Sequence, residues 1–101
     1  MDPEAALTAL AEPRRRAILQ LVRDAPRSVN EIAKCFDVTQ QAVSQHLHIL
    51  HAAGLVEVHP EGSRRLYVIR PEGIASVEAF LADLWPASLQ RLKHVAESDD
   101  G

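Results

Sequence analysis

Apolar side chains recur at helical spacing in the centre of the chain, over residues 38–54. Three of them stand at i, i+4 and i+7 and therefore share one face of a helix: Val43, Leu47 and Leu50. Thr39 can cap the start of this helix, because its hydroxyl can accept a hydrogen bond from an amide of the first turn. Gly54 stands where a left-handed residue commonly ends a helix. The pattern predicts an amphipathic helix with a defined beginning and end.

The opposite face of this predicted helix carries uncharged hydrogen-bonding groups. They are Gln41, Ser44, Gln45, His48 and His51, with Gln40 just before them. A solvated helix face usually carries charge pairs, whereas amide, hydroxyl and imidazole groups suit the edges of bases in a DNA major groove. We interpret this helix as a DNA recognition helix. An ordinary polar surface is the alternative.

Three shorter helical patterns precede it. The first covers residues 2–11, with Pro3 in the first turn. The second begins at Pro13 and ends before Pro26; its predicted buried residues are Ile18, Leu21, Val22 and Ala25. Arginines at 14–16 crowd its first turn, where cations oppose the helix dipole. They either form a solvated patch, or reach phosphate or acidic groups elsewhere.

The third pattern runs from residue 28 to about Phe36 and opens with a capping box, Ser28 and Glu31. Its predicted buried residues are Val29, Ile32, Ala33 and Phe36. A tight turn at residues 37–38 joins it to the recognition helix. Two helices joined by such a short turn, the second polar on its outer face, predict a helix-turn-helix.

Strand-like patterns follow Gly54. Residues 55–59 and 64–69 are rich in β-formers, and the turn residues 60–63 separate them, which predicts a hairpin. A hairpin directly after a helix-turn-helix is a wing. Arg64 and Arg65, near its tip, can reach backbone phosphate or a narrow minor groove.

A last helical pattern begins at Pro71 and continues for more than twenty residues, and Pro86 predicts a kink or break near residues 84–85. This apolar stripe exceeds what a small core needs, so we expect it to pair with a second copy of the chain. The expected dimer interface consists of Leu7, Leu10, Leu81, Leu84, Trp85, Leu89 and Leu92. The whole pattern predicts a mainly α fold with a small β-hairpin, a winged helix-turn-helix, as one domain over residues 1–97. Residues 98–101 are expected to form a flexible tail.

Charge is distributed unevenly along the 101 residues, although the net charge is only −3. Residues 13–70 hold nine Lys and Arg against five Asp and Glu, a local balance of +4, and both ends are acidic. Phosphate attraction depends on the local patch and not on the total. No Lys or Arg lies between Cys35 and Ser63. Phosphate contacts are therefore expected mainly from Arg64 and Arg65, with the arginines at 14–16 as a further source, and the salt dependence is expected to be modest.

Three segments of the chain resemble the ArsR-type winged-helix repressors of bacteria and archaea. They are LAEPRRRAILQLV at 10–22, SVNEIAKCFDVTQQAVSQHLHILHAAGLV at 28–56 and EGSRRLYVI at 61–69. The resemblance covers about residues 5–95. It implies a homodimer built from the first and last helices, operator binding and usually repression, often of the protein's own operon.

With the residue analysis, the resemblance indicates one set of residues for binding a double-stranded DNA operator. This set is Thr39, Gln40, Gln41, Ser44, Gln45, His48, Arg64 and Arg65. The operator is expected to be an imperfect palindrome, because two recognition helices of a dimer would enter successive major grooves.

Metal-sensing members of the family carry thiolates where this chain has residues 28–30, which include no cysteine. Cys35 stands alone, permits no intrachain disulfide and is interpreted as a small packed hydrophobe. Asp83, His94 and Glu97 do not have the spacing of the other common metal site. The ending resembles the non-metal autorepressor branch, and we expect no metal site and no cofactor.

The sequence offers little support for catalysis, secretion or membrane insertion. Ser44 and His48 could imitate a nucleophile and base, but no third group or oxyanion donor accompanies them, so no catalytic site is expected. The acidic start is neither a signal peptide nor a membrane span, so a cytoplasmic protein is expected. Two alternatives stay open: a winged-helix interaction module that does not read DNA, and a repressor released by an unidentified metal or small-molecule inducer.

Overall fold

The computed structural model of the protein describes residues 3–87 and contains five helices and one antiparallel hairpin in that range. The elements are α1 (Pro3–Leu10), α2 (Pro13–Asp24), α3 (Val29–Cys35), α4 (Gln40–Ala52), β1 (Val56–Glu61), β2 (Arg64–Ile69) and α5 (Pro71–Asp83). The predicted order of elements is confirmed. None of the helices described is long and apolar enough to cross a membrane.

The core lies where α2, α3, α4 and the start of β1 meet. Its largest fully buried side chains are Ile18, Ile32, Val43, Leu47, Leu50, Leu55 and Val56. The predicted apolar face of α4 is therefore confirmed. These residues fix the outer face of α4, since a helix that buries one side turns the opposite side toward solvent.

Two of the predicted buried stripes need correction. In α2, Leu19 is buried whereas Leu21 and Ala25 are only partly so, because α1, α4 and β2 all pack against this helix and shift the buried face. In α3, Ile32 is the buried residue, while Val29, Ala33 and Phe36 are half-buried. The helix also ends at Cys35, and Phe36 follows as an extended C-cap.

The predicted helix ends in the helix-turn-helix are confirmed. The Glu31 amide donates to Ser28 Oγ (3.2 Å) and the Ser28 amide donates to Glu31 Oε1 (3.1 Å), which completes the capping box. The Ala42 amide donates to Thr39 Oγ1 (3.1 Å) at the start of α4. Gly54 has a φ of 78°, the left-handed conformation expected after a helix.

The wing is longer than the sequence predicted. Pro60 and Glu61 belong to β1, and the turn is only Gly62 and Ser63, with Glu61 opposite Arg64. Gly62 has a φ of 62°, as in a tight two-residue hairpin turn. Among residues 3–87, only glycines have a positive φ. Turn residues at 60–61 are compatible with a strand here because β1 is an edge strand, where proline is tolerated.

A backbone bridge that the sequence did not reveal anchors the wing to the helices. The Tyr67 amide donates to the Arg27 carbonyl (2.7 Å) and the Arg27 amide donates to the Tyr67 carbonyl (3.2 Å). The segment between α2 and α3 is thus joined to β2 by an isolated antiparallel bridge. This pairing fixes the wing next to the start of α3.

The last helix begins against the end of α4. The Arg70 amide donates to the Leu55 carbonyl (2.9 Å), and a Cβ at Gly73 would lie 1.9 Å from the Gly54 carbonyl oxygen. The helix ends at Asp83, which confirms the break predicted before Pro86. Leu89, Leu92, His94, Glu97 and the tail at 98–101 lie outside the described residues.

Candidate nucleic-acid interface

The outer face of α4 is an exposed row of uncharged groups, as the sequence predicted. Gln41, Ser44, Gln45, His48 and His51 are all solvent-exposed. The first four of these line one shallow open groove along the helix, together with Ile49. The structure therefore brings the proposed reading residues together on one continuous surface.

Ile49 was missed by the sequence analysis. Its side chain is 40% exposed, although it is large and apolar. It stands four residues after Gln45 and eight after Gln41, so helical spacing alone could have placed it on the same face. An apolar group on a reading surface can contact the methyl group of thymine.

Two of the predicted DNA-binding residues at the start of α4 already make contacts within the protein. The Thr39 hydroxyl accepts the capping hydrogen bond from Ala42. Gln40 Nε2 donates to Asn30 Oδ1 (2.8 Å) and thus ties α4 to the start of α3. Both residues position the recognition helix, and Asn30 is a neighbour that periodicity could not identify.

The wing lies beside this surface, and Arg65 connects the two. One depression between the wing and α4 is lined by Ser44, Leu47, His48, His51, Val58, Arg65 and Tyr67. A second is lined by Ser28, Val29, Asn30, Gln40, Arg64 and Arg65. Arg65 borders both depressions, is exposed, and forms no ion pair or hydrogen bond within residues 3–87. Its guanidinium is well placed for a phosphate next to the groove that α4 would occupy.

Arg64, the other wing arginine, is paired. Its Nη2 donates to Glu31 Oε1, the carboxylate of the α3 capping box. The hydrogen bonds from Ser28 and then the charge of Arg64 hold the pKa of Glu31 below its ordinary value. The two arginines that the sequence treated alike therefore have different environments.

Two of the arginines at the start of α2 cap the preceding helix. Arg15 Nε donates to the Ala9 carbonyl (2.7 Å) and Arg16 Nη1 donates to the Leu10 carbonyl (2.7 Å). These carbonyls belong to the last two residues of α1, at the negative end of the helix dipole, which attracts cations. Both guanidinium groups are thus engaged within the protein, which neither of the sequence interpretations anticipated.

His46 connects this arginine cluster to α4. Its Nδ1 lies 3.5 Å from Arg15 Nη1 and 3.9 Å from Glu12 Oε2. The side chain is half-buried, with 23% of its surface exposed. The contact joins α4 to the α1–α2 corner.

Cys35 is exposed at the end of α3, so its interpretation as a packed hydrophobe is wrong. Cys35 is the last residue of α3, and Ile32 is the residue of this helix that lies buried in the core. Within residues 3–87 no group of three or more His, Cys, Asp and Glu side chains is placed to hold a metal ion.

Comparisons with known proteins agree with this architecture. A family model described as a helix-turn-helix domain matches residues 10–59. The HTH-type transcriptional regulator Rv2034 of Mycobacterium tuberculosis is 37% identical over 98 residues, which cover 97% of this chain and 92% of that protein.

Solved structures share the same fold. The crystal structure of an ArsR family transcriptional regulator is 34% identical, with a TM-score of 0.72, and the match covers 93% of this chain and 95% of that one. The homodimeric winged helix-turn-helix DNA-binding domain of Mb0332 from Mycobacterium bovis, a possible ArsR-family regulator, is 33% identical, with a TM-score of 0.68, over 80% of this chain and 75% of that one. With these relatives, and with the exposed face of α4 beside a wing, the chain belongs to the ArsR family of winged helix-turn-helix transcriptional regulators.

Proposed function

We propose that the protein binds operator DNA as a homodimer and represses transcription from the promoter that contains the operator. One observation carries the proposal: α4 exposes a row of uncharged hydrogen-bonding groups beside a wing whose Arg65 is available for phosphate. A major groove accommodates a helix with such a face.

The residues of α4 indicate what the helix would read. Glutamine can form a bidentate pair with adenine, and serine or histidine can bond base edges or phosphate. Ile49, on the same groove, suits the methyl group of thymine. We therefore expect A·T pairs in each half-site, read mainly by Gln41, Gln45 and Ile49.

The proposed dimer surface lies at the end of α5. Leu81, Leu84 and Trp85 are 50%, 64% and 47% exposed, a group of large apolar side chains on one short segment. α5 packs on α1, where Leu7 and Leu10 are already half-buried against their own core. We assign the larger share of the interface to the α5 residues, while Leu89 and Leu92 stay predictions from the sequence.

In this proposal, the dimer represses transcription simply by occupying the operator. A dimer on an imperfect palindrome places two copies of α4 in successive major grooves about 34 Å apart. A protein bound over that length excludes other proteins from the same DNA. Since repression of the protein's own operon is frequent in the family, its own promoter is the first fragment to test.

Selection of DNA from a randomised duplex library tests the proposal directly. We expect enrichment of an imperfect palindrome with half-site centres about 10 base pairs apart. Gln45→Ala should relax the preference at one position in each half-site, whereas the matched variant Gln20→Ala, on the exposed side of α2, should not. Absence of enrichment would favour the interaction-module alternative, whereas equal effects of the two variants would contradict the role of Gln45. Expression of a reporter from that promoter, with and without the protein, then distinguishes repression from activation.

A further inference from the structure

We propose that Glu31 serves as an internal counter-ion that withholds Arg64 from DNA phosphate and thereby lowers the affinity of the protein for DNA of any sequence. The proposal rests on the DNA-binding function proposed above. It assigns a role in setting the sequence-independent affinity to a residue of α3 that faces the wing and is itself not expected to touch a base.

The carboxylate of Glu31 is held in place by contacts that do not involve Arg64. The Ser28 amide donates to Glu31 Oε1 (3.1 Å) as part of the capping box. Arg64 Nη2 donates to this same oxygen from the wing, 33 residues further along the chain. Because the cap holds the acceptor in place, less side-chain entropy is lost in forming this pair than in a usual surface ion pair.

The hairpin offers Arg64 another acid, which it does not use. Glu61 stands directly opposite Arg64 in the strand register, and opposite charges at such positions attract each other. The ion pair nevertheless forms with Glu31, and no Arg64–Glu61 ion pair is present in the described part of the chain. The guanidinium thus turns from its own hairpin toward α3.

A carboxylate and a phosphate offer a guanidinium the same kind of charge-assisted, planar contact. The Arg64 Nη2 donor that Glu31 accepts is not available to a phosphate. The negative charge of Glu31 beside the guanidinium also offsets much of its attraction for the DNA backbone. Of the two wing arginines, Arg65 therefore supplies net attraction and Arg64 supplies little.

The consequence is a lower sequence-independent affinity for DNA. Phosphate contacts supply essentially all of the non-specific affinity, while base contacts supply discrimination. Neutralising one wing arginine lowers binding to all sequences and leaves the hydrogen-bonding face of α4 intact. Because this loss is the same at right and wrong sites, discrimination between them rests on the base contacts of α4.

The variant Glu31→Gln tests the proposal, because glutamine can keep the capping bond with Ser28 while it removes the charge. Binding is measured by fluorescence anisotropy on a random-sequence duplex and on the duplex selected above, at several KCl concentrations. We expect the variant to bind the random duplex about 2- to 30-fold more tightly, the equivalent of two exposed ion pairs released. The slope of log affinity against log salt should steepen by about 0.9 for each wing.

The double variant with Arg64→Ala identifies the released group. In the wild type, Arg64→Ala should leave the salt slope nearly unchanged, whereas in the Glu31→Gln background it should reverse the steepening. Glu61→Gln is the matched control, since it removes the same charge opposite Arg64 without freeing the guanidinium, and its slope should equal that of the wild type. Thermal unfolding of each variant verifies that the fold is intact.

Two results would overturn the proposal. One is a Glu31→Gln slope equal to that of the wild type; the other is an equal effect of Arg64→Ala in both backgrounds, which would mean that Arg64 contacts phosphate freely. A wild-type protein that binds the selected and random duplexes equally well would contradict the DNA-reading function instead, whatever the slopes. A wild-type protein that binds neither duplex would refute both.

Discussion

Raising the salt concentration is expected to weaken DNA binding only gently, although residues 13–70 carry nine lysines and arginines. Most of these cations are already engaged. Six arginines are held by contacts within the described residues: Arg14 over the Phe36 ring, Arg15 and Arg16 on the α1 carbonyls, Arg23 with Asp24, Arg64 with Glu31 and Arg70 with Glu72. Arg27 lies half-buried behind the wing.

The remaining two cations set the expected magnitude. Arg65 and Lys34 are exposed and form no ion pair or hydrogen bond within residues 3–87. If each protomer neutralises one or two phosphates, a dimer neutralises two to four, and the slope of log affinity against log salt is about −1.8 to −3.6. Fluorescence anisotropy between 50 and 200 mM KCl, roughly the range in which such slopes are usually compared, measures it.

Single variants measure how much each residue contributes to the salt dependence. Arg65→Ala should reduce its magnitude by about 1.8, one contact for each wing. Lys34→Ala shows whether α3 contributes the rest. The control is Arg23→Ala, a cation paired with its neighbour Asp24 at the end of α2, which should leave the slope unchanged. A wild-type slope steeper than about −6 would refute the reasoning, because the arginines engaged within the protein would then have to rearrange on DNA; an unchanged slope for Arg65→Ala would refute the role of the wing.

Other predictions concern the reading helix, the dimer and the stability of the fold. Gln45→Ala should cost about 1–3 kcal/mol of base discrimination at one position per half-site, measured by competition with substituted duplexes, and should not change the salt slope. Leu84→Glu places a charge on a side chain that is 64% exposed; sedimentation should then find monomers of unchanged helical content, and a persistent dimer would argue against this surface. Gly73→Ala would place a Cβ 1.9 Å from the Gly54 carbonyl oxygen, so that backbone must move, and thermal unfolding should find a loss of about 1–3 kcal/mol or more; an unchanged melting temperature would contradict the close approach. Because the pKa of Glu31 is lowered from 4.5, its carboxylate stabilises the folded state above that pH and loses this contribution as the pH falls through the lowered value; Glu31→Gln should flatten that part of the acid-unfolding curve, and identical curves would exclude the effect.

Local features of the sequence predicted much of the fold. The buried face of α4 follows from three residues at helical spacing, and the capping box and the left-handed Gly54 mark helix ends that the structure confirms. These signals act within a few residues of chain, so a sequence displays them directly. The same periodicity would have placed Ile49 on the reading face, had apolar residues been considered there as well as polar ones.

Features that depend on distant parts of the chain could not be predicted. The burial of Leu19 depends on three elements that pack around α2, and the isolated bridge to the wing depends on Arg27 meeting Tyr67 forty residues later. The wing is longer than predicted because Pro60 and Glu61, turn residues by composition, lie in a strand at the edge of the sheet. Propensity is a weak guide where tertiary pairing decides the conformation.

Contacts between distant residues also determine which cations of the interface are available to DNA. These contacts change the functional interpretation, and the sequence does not reveal them. A sequence count gives a basic centre, and the count is correct, but it does not say which cations are available to DNA. Arg15 and Arg16 neutralise the end of α1, and Arg64 meets a carboxylate fixed by the α3 cap. What remains beside α4 is mainly Arg65 and an uncharged face. Such a surface holds DNA weakly unless base edges complete its hydrogen bonds, and a dimer makes those bonds twice. Selectivity in this protein is therefore expected to come from hydrogen bonding in two half-sites. Contacts inside the fold leave few cations beside α4 for DNA phosphate.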